Sequence, residues 1–178
     1  MSDFKTELLN HIRAVPDFPL PGILFRDISP IFLNPDLVAA SIKELAKPWQ
    51  GGGIDKVIGI DSRGFLLGPQ LAGELGAGFV MVRKKGKLPP ETVKISYTLE
   101  YGSAELESVV DVIQPGDRVL IHDDLLATGG TASASASLVE KLGGIVVGFS
   151  FIITLNGLPG KDRLEQRSAQ IHSLVAFD

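Results

Sequence analysis

The chain has 178 residues, 44% of them apolar, and no cysteine; this is enough for one domain with a well-filled core, and it excludes disulfide, thiolate-metal and cysteine-nucleophile chemistry. A formal net charge of −4 argues against a generalised nucleic-acid surface, and no apolar run approaches the ~20 residues that span a bilayer. The opening MSDFKTELLNHIRAV mixes charges with apolar residues where a signal peptide needs a continuous apolar stretch, so a cytosolic protein is expected.

In chain order, Phe4 to Val15 predicts a short amphipathic helix stopped by Pro16. PDFPLPG follows, with three prolines in seven residues, and predicts an extended, rigid connection. Asn34, Pro35 and Asp36 form a helix start: a cap, a proline at the first helical position and an acid in the first turn. That helix should reach about Lys47 and give way to the turn-rich PWQGGG. KVIGI then reads as a buried strand and DSRG as the loop at its end. FLLGPQLAGEL reads as a helix stopped by Gly76, with Pro69 in its first turns or at a kink, and GFVMV as the next strand.

The stretch from Lys84 to Gly116 fits this alternation poorly. Val93, Ile95, Tyr97, Leu99 and Tyr101 alternate as in a hairpin, but polar and charged residues fill the rest. So long an excursion between two strands is more often a functional lid than an accident. Beyond it RVLIH is a strand, and TASASASLVEKL is a helix ending at Gly143 and Gly144. Ala134, Leu138 and Leu142 fall at helical spacing, which outweighs the period-two run ASASAS. IVVGFSFIIT and IHSLVAF complete the strands. Near-continuous apolar strands in two strand–helix–strand units predict an α/β fold, a parallel sheet covered on both faces. Residues 1–178 read as one domain without repeats or low-complexity linkers.

The most informative stretch is VLIHDDLLATGGTASA, residues 119 to 134. In an open parallel sheet, ligands bind outside the C-terminal strand ends, which is where Asp123 and Asp124 fall. Ala127, Thr128, Gly129, Gly130 and Thr131 then supply exposed backbone N–H groups, two hydroxyls and the positive end of a helix dipole, a combination suited to a phosphate monoester. Ionised carboxylates only accept hydrogen bonds, so just ahead of that loop they suit ribose hydroxyls. Together they describe a ribose 5-phosphate cradle; a capped glycine turn is the plainer alternative. Neither G-x-G-x-x-G nor G-x-x-x-x-G-K-[ST] follows a predicted strand. Arg83, Lys84, Lys85 and Lys87 crowd around Gly86, as either a solvated turn or a site for a polyanion.

VLIHDDLLATGGTASA resembles the phosphoribosyl-pyrophosphate (PRPP) motif of type I phosphoribosyltransferases. DFPLPGILFRDISP, GIDSRGFLLGP, VRKKGKLPPET and YTLEYGSAELE extend the likeness over most of the chain, and FRDIS and LEYG point to the adenine branch of the family. The resemblance implies a parallel sheet flanked by helices, with an N-terminal hood within about residues 1–34 and a flexible lid at about 84–102. The implied reaction takes adenine and PRPP to AMP and pyrophosphate. Asp123 and Asp124 would hold the ribose hydroxyls and Ala127 to Thr131 the 5-phosphate. Asp61, Ser62 and Arg63 would form the pyrophosphate loop, and Arg83, Lys84 and Lys87 would meet the departing pyrophosphate. Mg²⁺ would arrive with PRPP, bound mainly by substrate oxygens.

Adenine would contact the backbone at Leu24 and Arg26 with Phe25 near the base plane, although core packing explains Phe25 equally well. Glu100 and Tyr101 would close over the base. Glu100 would take the N9 proton, with its pKa raised by desolvation; an exposed hairpin glutamate is the alternative. His122 departs from the aliphatic residue usual in the family, and a hydrogen-bonded core histidine fits it better than a catalyst. The family also implies a homodimer. A PRPP-sensing regulator without catalysis would need a DNA-binding module or a basic face, for which the chain has neither spare length nor charge. An enzyme for a 6-oxopurine or orotate is the nearer rival.

Overall fold

The computed structural model describes residues 3–99, 102–167 and 169–178. The chain divides into two compact units, Met1–Glu44 and Leu45–Asp178.

In the first unit, helix α1 covers Phe4–Asn10 and stops short of the expected Val15. His11 closes it, its ring Nδ1 lying 2.9 Å from the Glu7 carbonyl oxygen. Arg13–Val15 instead become strand β1, paired antiparallel with β2 (Phe25–Asp27), so strand pairing overrides the helical period. The proline-rich segment between them is a closed turn rather than an extended connection. The Phe18–Pro19 peptide is cis, the Gly22 amide donates to Asp17 Oδ1 at 2.7 Å, and the Phe18 amide donates to the Ile23 carbonyl at 3.2 Å. Helix α2 (Pro35–Ala46) starts as the sequence predicts, with the Leu37 amide donating to Asn34 Oδ1 at 3.1 Å.

The second unit is built on a seven-stranded sheet in the order β5-β6-β4-β3-β7-β8-β9. Five strands are parallel: β3 (Lys56–Ile60), β4 (Gly78–Lys84), β7 (Arg118–Leu126), β8 (Ile145–Leu155) and β9 (Gln170–Phe177). The excursion after Lys84 is a hairpin of β5 (Thr92–Leu99) and β6 (Gly102–Val109), which extends the sheet antiparallel to β4. Helices α3 (Gly68–Leu75), α4 (Gly130–Lys141) and α5 (Gly160–Glu165) flank it. Pro69 sits in the first turn of α3 and Gly76 ends that helix at φ 66°. Ile58, Ile60, Val80, Ile121 and Phe149 from the strands pack with Leu138 of α4 in the core.

Candidate active site

β7 runs further than RVLIH alone predicts, through the two aspartates to Leu126. Its pairing explains why. The β3 partner ends at Gly59 opposite His122, whereas β8 continues to pair as far as Leu126 opposite Thr154. From Asp123 onward β7 has lost its neighbour on one side, and the turn after β3 comes in there. A Cβ on Gly64 of that turn would lie 2.8 Å from the His122 carbonyl oxygen and 3.3 Å from Asp123 Cα, a separation no other residue tolerates. The DSRG loop and the aspartate pair are thereby brought into contact.

The two carboxylates have different surroundings. Asp124 is buried, and its Oδ2 lies 3.0 Å from Arg63 Nε. Asp123 accepts the Asp124 amide at 2.9 Å and lines a recess of about 90 Å³ with residues 125–132. Burial, and next to it the neighbouring Asp124 charge, push the Asp123 carboxyl well above the usual carboxylate range. Burial also raises Asp124, with Arg63 pulling in the opposite direction. Adjacent carboxylates titrate as a pair, and a ligand bringing hydroxyl donors favours their ionised forms.

Ala127 to Thr131, the stretch expected to take the 5-phosphate, line this recess. Gly129 caps α4 at φ 71°, and the Ser133 amide is bonded to the Gly129 carbonyl at 2.9 Å. The amides of Gly130, Thr131 and Ala132 therefore precede the first intrahelical bond and are open to an anion. Two serines of ASASAS turn back onto the helix, Ser135 Oγ donating to the Thr131 carbonyl at 2.9 Å and Ser137 Oγ to the Ser133 carbonyl at 3.3 Å.

Sequence reasoning missed two supports of this loop. α5 begins at Gly160, and a Cβ on Gly129 would lie 2.9 Å from Gly160 Cα. The signal, Pro159-Gly160 before KDRLE, was present but too short to show a period. Tyr97 of β5 places its hydroxyl 3.4 Å from Thr131 Oγ1, bringing the hairpin against the cradle.

At the other end, the Asp61–Ser62 peptide is cis. Arg83, expected at the pyrophosphate, is engaged by protein groups: Nε lies 3.0 Å from Asp61 Oδ2, Nη1 donates to the Lys87 carbonyl at 3.1 Å, and the guanidinium stands 5.8 Å from the Phe65 ring centre. Lys85 is paired with Glu105. Lys84 and Lys87 are exposed and make no carboxylate pair among the described residues, which leaves their ammonium groups available to an anion. Asp61 is thus in direct contact with Arg83, and Arg63 with Asp124 of the aspartate pair.

Leu24, Phe25 and Arg26 belong to the first unit. Leu24 is about half exposed at 48%, and Phe25 is half-buried with its ring edge-on to Phe18 at 5.1 Å. Glu100 and Tyr101 lie outside the described residues. His122 is fully buried, its Nδ1 3.1 Å from the Ser150 carbonyl oxygen. Burial lowers its pKa to about 4, so it is a neutral core residue near neutral pH. Among the described residues no group of three or more His, Cys, Asp or Glu side chains could hold a metal ion, and no helix is long and apolar enough to cross a membrane.

A family model described as "Phosphoribosyl transferase domain" matches residues 33–171. An adenine phosphoribosyltransferase of Bradyrhizobium sp. (strain ORS 278) is 49% identical over 175 residues, covering 98% of each chain. The crystal structure of adenine phosphoribosyltransferase from Rhodothermus marinus superposes with a TM-score of 0.93 at 52% identity, covering 98% of each chain. The Saccharomyces cerevisiae enzyme, solved with an imino-altritol bisphosphate and adenine, superposes at 0.90 with 41% identity over 96% of this chain and 98% of that one.

Proposed function

The chain belongs to the phosphoribosyltransferase family, and within it to the adenine phosphoribosyltransferases; it converts adenine and PRPP to AMP and pyrophosphate, and we propose that its residues share that reaction as follows. The observation that carries the assignment is the junction at the end of β7, where Asp123 opens onto the glycine recess while Asp124 meets Arg63. The ribose hydroxyls donate to Asp123 and Asp124. The 5-phosphate takes the amides and hydroxyls of Ala127 to Thr131. The backbone of Asp61, Ser62 and Arg63 faces the pyrophosphate, with Lys84 and Lys87 supplying free cations. Asp61 and Arg83 act there chiefly through each other.

The C1–O bond is largely broken before N9 bonds, so charge builds at C1 and on the leaving group. Attack from the opposite face inverts C1. The pair of electrons in the broken bond leaves with pyrophosphate, and the N9 proton passes to the Glu100 carboxylate, with Tyr101 closing beside it. Arg63, Lys84 and Lys87 lower the barrier by positioning and by meeting the charge that develops. Mg²⁺ would be held mainly by PRPP oxygens and would supply partial neutralisation of the pyrophosphate charge. The oxygen donors at Asp123 and Asp124 suit a cation that takes one or two carboxylates beside substrate phosphates. The segment at about 84–102 serves as the lid, and the working assembly is a cytosolic homodimer.

The adenine preference is set by the backbone at Leu24 and Arg26, with Phe25 beside the base. Adenine has an acceptor at N1 and donors at N6, and hypoxanthine reverses both. A backbone N–H and C=O matched to adenine would leave two polar pairs unsatisfied with hypoxanthine, a discrimination on the order of 10⁴–10⁵. Competing the two bases for limiting PRPP measures that ratio directly. Because the contacts are main-chain, Arg26→Ala should keep most of the preference. Comparable use of hypoxanthine would overturn the base-site assignment.

A further inference from the structure

Lys87 has an exposed side chain, yet its backbone is held at both ends. Its amide donates to Glu107 Oε1 at 2.9 Å, and its carbonyl accepts from Arg83 Nη1 at 3.1 Å. The same Oε1 takes the Leu88 amide at 3.1 Å, while Oε2 accepts the Thr92 hydroxyl at 3.3 Å. Glu107 is 2% exposed and stands opposite Arg83 in the β4–β6 register. Burying a carboxylate that deeply is unfavourable unless donors satisfy it. Here those donors come from the turn that carries Lys87. Burial pushes the Glu107 carboxyl up, but the Leu88 and Lys87 amides and the Thr92 hydroxyl outweigh it and hold the group below the usual range.

We propose that Glu107 is a positioning residue for pyrophosphate: it fixes the backbone of the Lys87 turn from one side, as Arg83 does from the other, so that the Lys87 ammonium meets the leaving group. This rests on Lys87 being a pyrophosphate contact. Anchoring the backbone and leaving the side chain free confines the cation to a small volume beside the site, which lowers the ordering needed when the polyanion arrives. Glu107 touches no substrate. Its influence reaches pyrophosphate through Lys87 and does not extend to the 5-phosphate cradle.

The test is the reverse reaction, AMP plus pyrophosphate, with the AMP dissociation constant measured separately. Glu107→Gln keeps the reach and the acceptor oxygen, whereas Glu107→Asp keeps the charge but withdraws it by a methylene. We expect KM for pyrophosphate to rise about tenfold in Glu107→Asp and less than about threefold in Glu107→Gln, with AMP affinity unchanged in both. Lys87→Ala should also raise KM for pyrophosphate. If it does and Glu107→Asp does not, the anchoring role is wrong. If Lys87→Ala has no effect, the Lys87 assignment fails and the anchor with it. Equal losses for AMP and pyrophosphate in Glu107→Asp would mark a general packing defect and overturn the proposal. Should that variant not fold, amide exchange in the wild-type protein still decides: the Lys87 and Leu88 amides should be strongly protected, and exchange at the rate of an open loop would overturn the anchor.

Discussion

Gly160→Ala is expected to lower kcat/KM for PRPP by about a hundredfold or more and to remove most of the thermal stabilisation that PRPP confers. A Cβ at Gly160 would fall well inside the contact distance of the Ala127 carbonyl oxygen and 2.9 Å from Leu126 Cδ1. The first of these is backbone, which cannot rotate away, so either α5 or the Ala127–Thr131 loop must move. Overpacking of this kind costs about 1–3 kcal/mol of stability. The effect on turnover is larger, because a displacement of about 1 Å at a positioning group can cost 10²-fold. Gly157→Ala is the control. Gly157 has a positive φ, 75°, and nothing lies within 4 Å of its Cβ position, so its alanine variant should bear backbone strain and leave KM for PRPP near wild type. A wild-type KM in Gly160→Ala would place the 5-phosphate somewhere other than this loop.

That expectation depends on a contact between residues 127 and 160, and it shows what the sequence could and could not convey. Local signals were legible wherever one residue type satisfied one local need. Asn34 caps α2, Pro69 and Gly76 bracket α3, and Gly129 and Gly130 open α4. The parallel character of the central strands followed from their unbroken apolar runs. What was hidden was set by distant partners. α1 ends early because Arg13–Val15 pair with Phe25–Asp27. β7 continues past His122 because β8 still pairs with it after β3 has stopped. Asp17 and Gly22 close the proline-rich turn through a side-chain bond that prolines alone do not suggest. Arg83 and Lys84 look equivalent in VRKKGK, yet Asp61 just past a neighbouring strand engages Arg83, while Lys84 has no carboxylate pair among the described residues. Glu107 has the most local-looking context, AELES, yet the Lys87, Leu88 and Thr92 donors to its carboxylate lie fifteen to twenty positions away.

Asp123→Asn should stabilise the free protein while crippling its use of PRPP. The Asp123 carboxyl is raised well above its ordinary value of 3.8 by burial and then by the Asp124 charge. The folded state therefore binds its proton more tightly than the unfolded chain does. Stability attributable to this group is greatest below the unfolded value and declines as pH rises from there to the raised folded value. At neutral pH the wild-type protein carries that penalty, and asparagine removes it. Each kcal/mol recovered would read as a Tm increase of about 2–4 °C in a chain of this size, and the downward slope of Tm with pH in the acidic range should flatten. Asp124→Asn should behave differently. It removes the charge that Arg63 meets at 3.0 Å, so the gain from losing a buried carboxylate is offset by the loss of that ion pair, and Tm should not rise. Both variants exchange charge-assisted bonds to ribose hydroxyls for neutral ones, a loss of roughly 1.5–3 kcal/mol, or about 10- to 100-fold in KM for PRPP. The pair of measurements separates stability from function at adjacent residues. If Asp123→Asn leaves Tm unchanged, the carboxylate is not held at a penalty. If it leaves KM for PRPP unchanged, the ribose does not bind at Asp123.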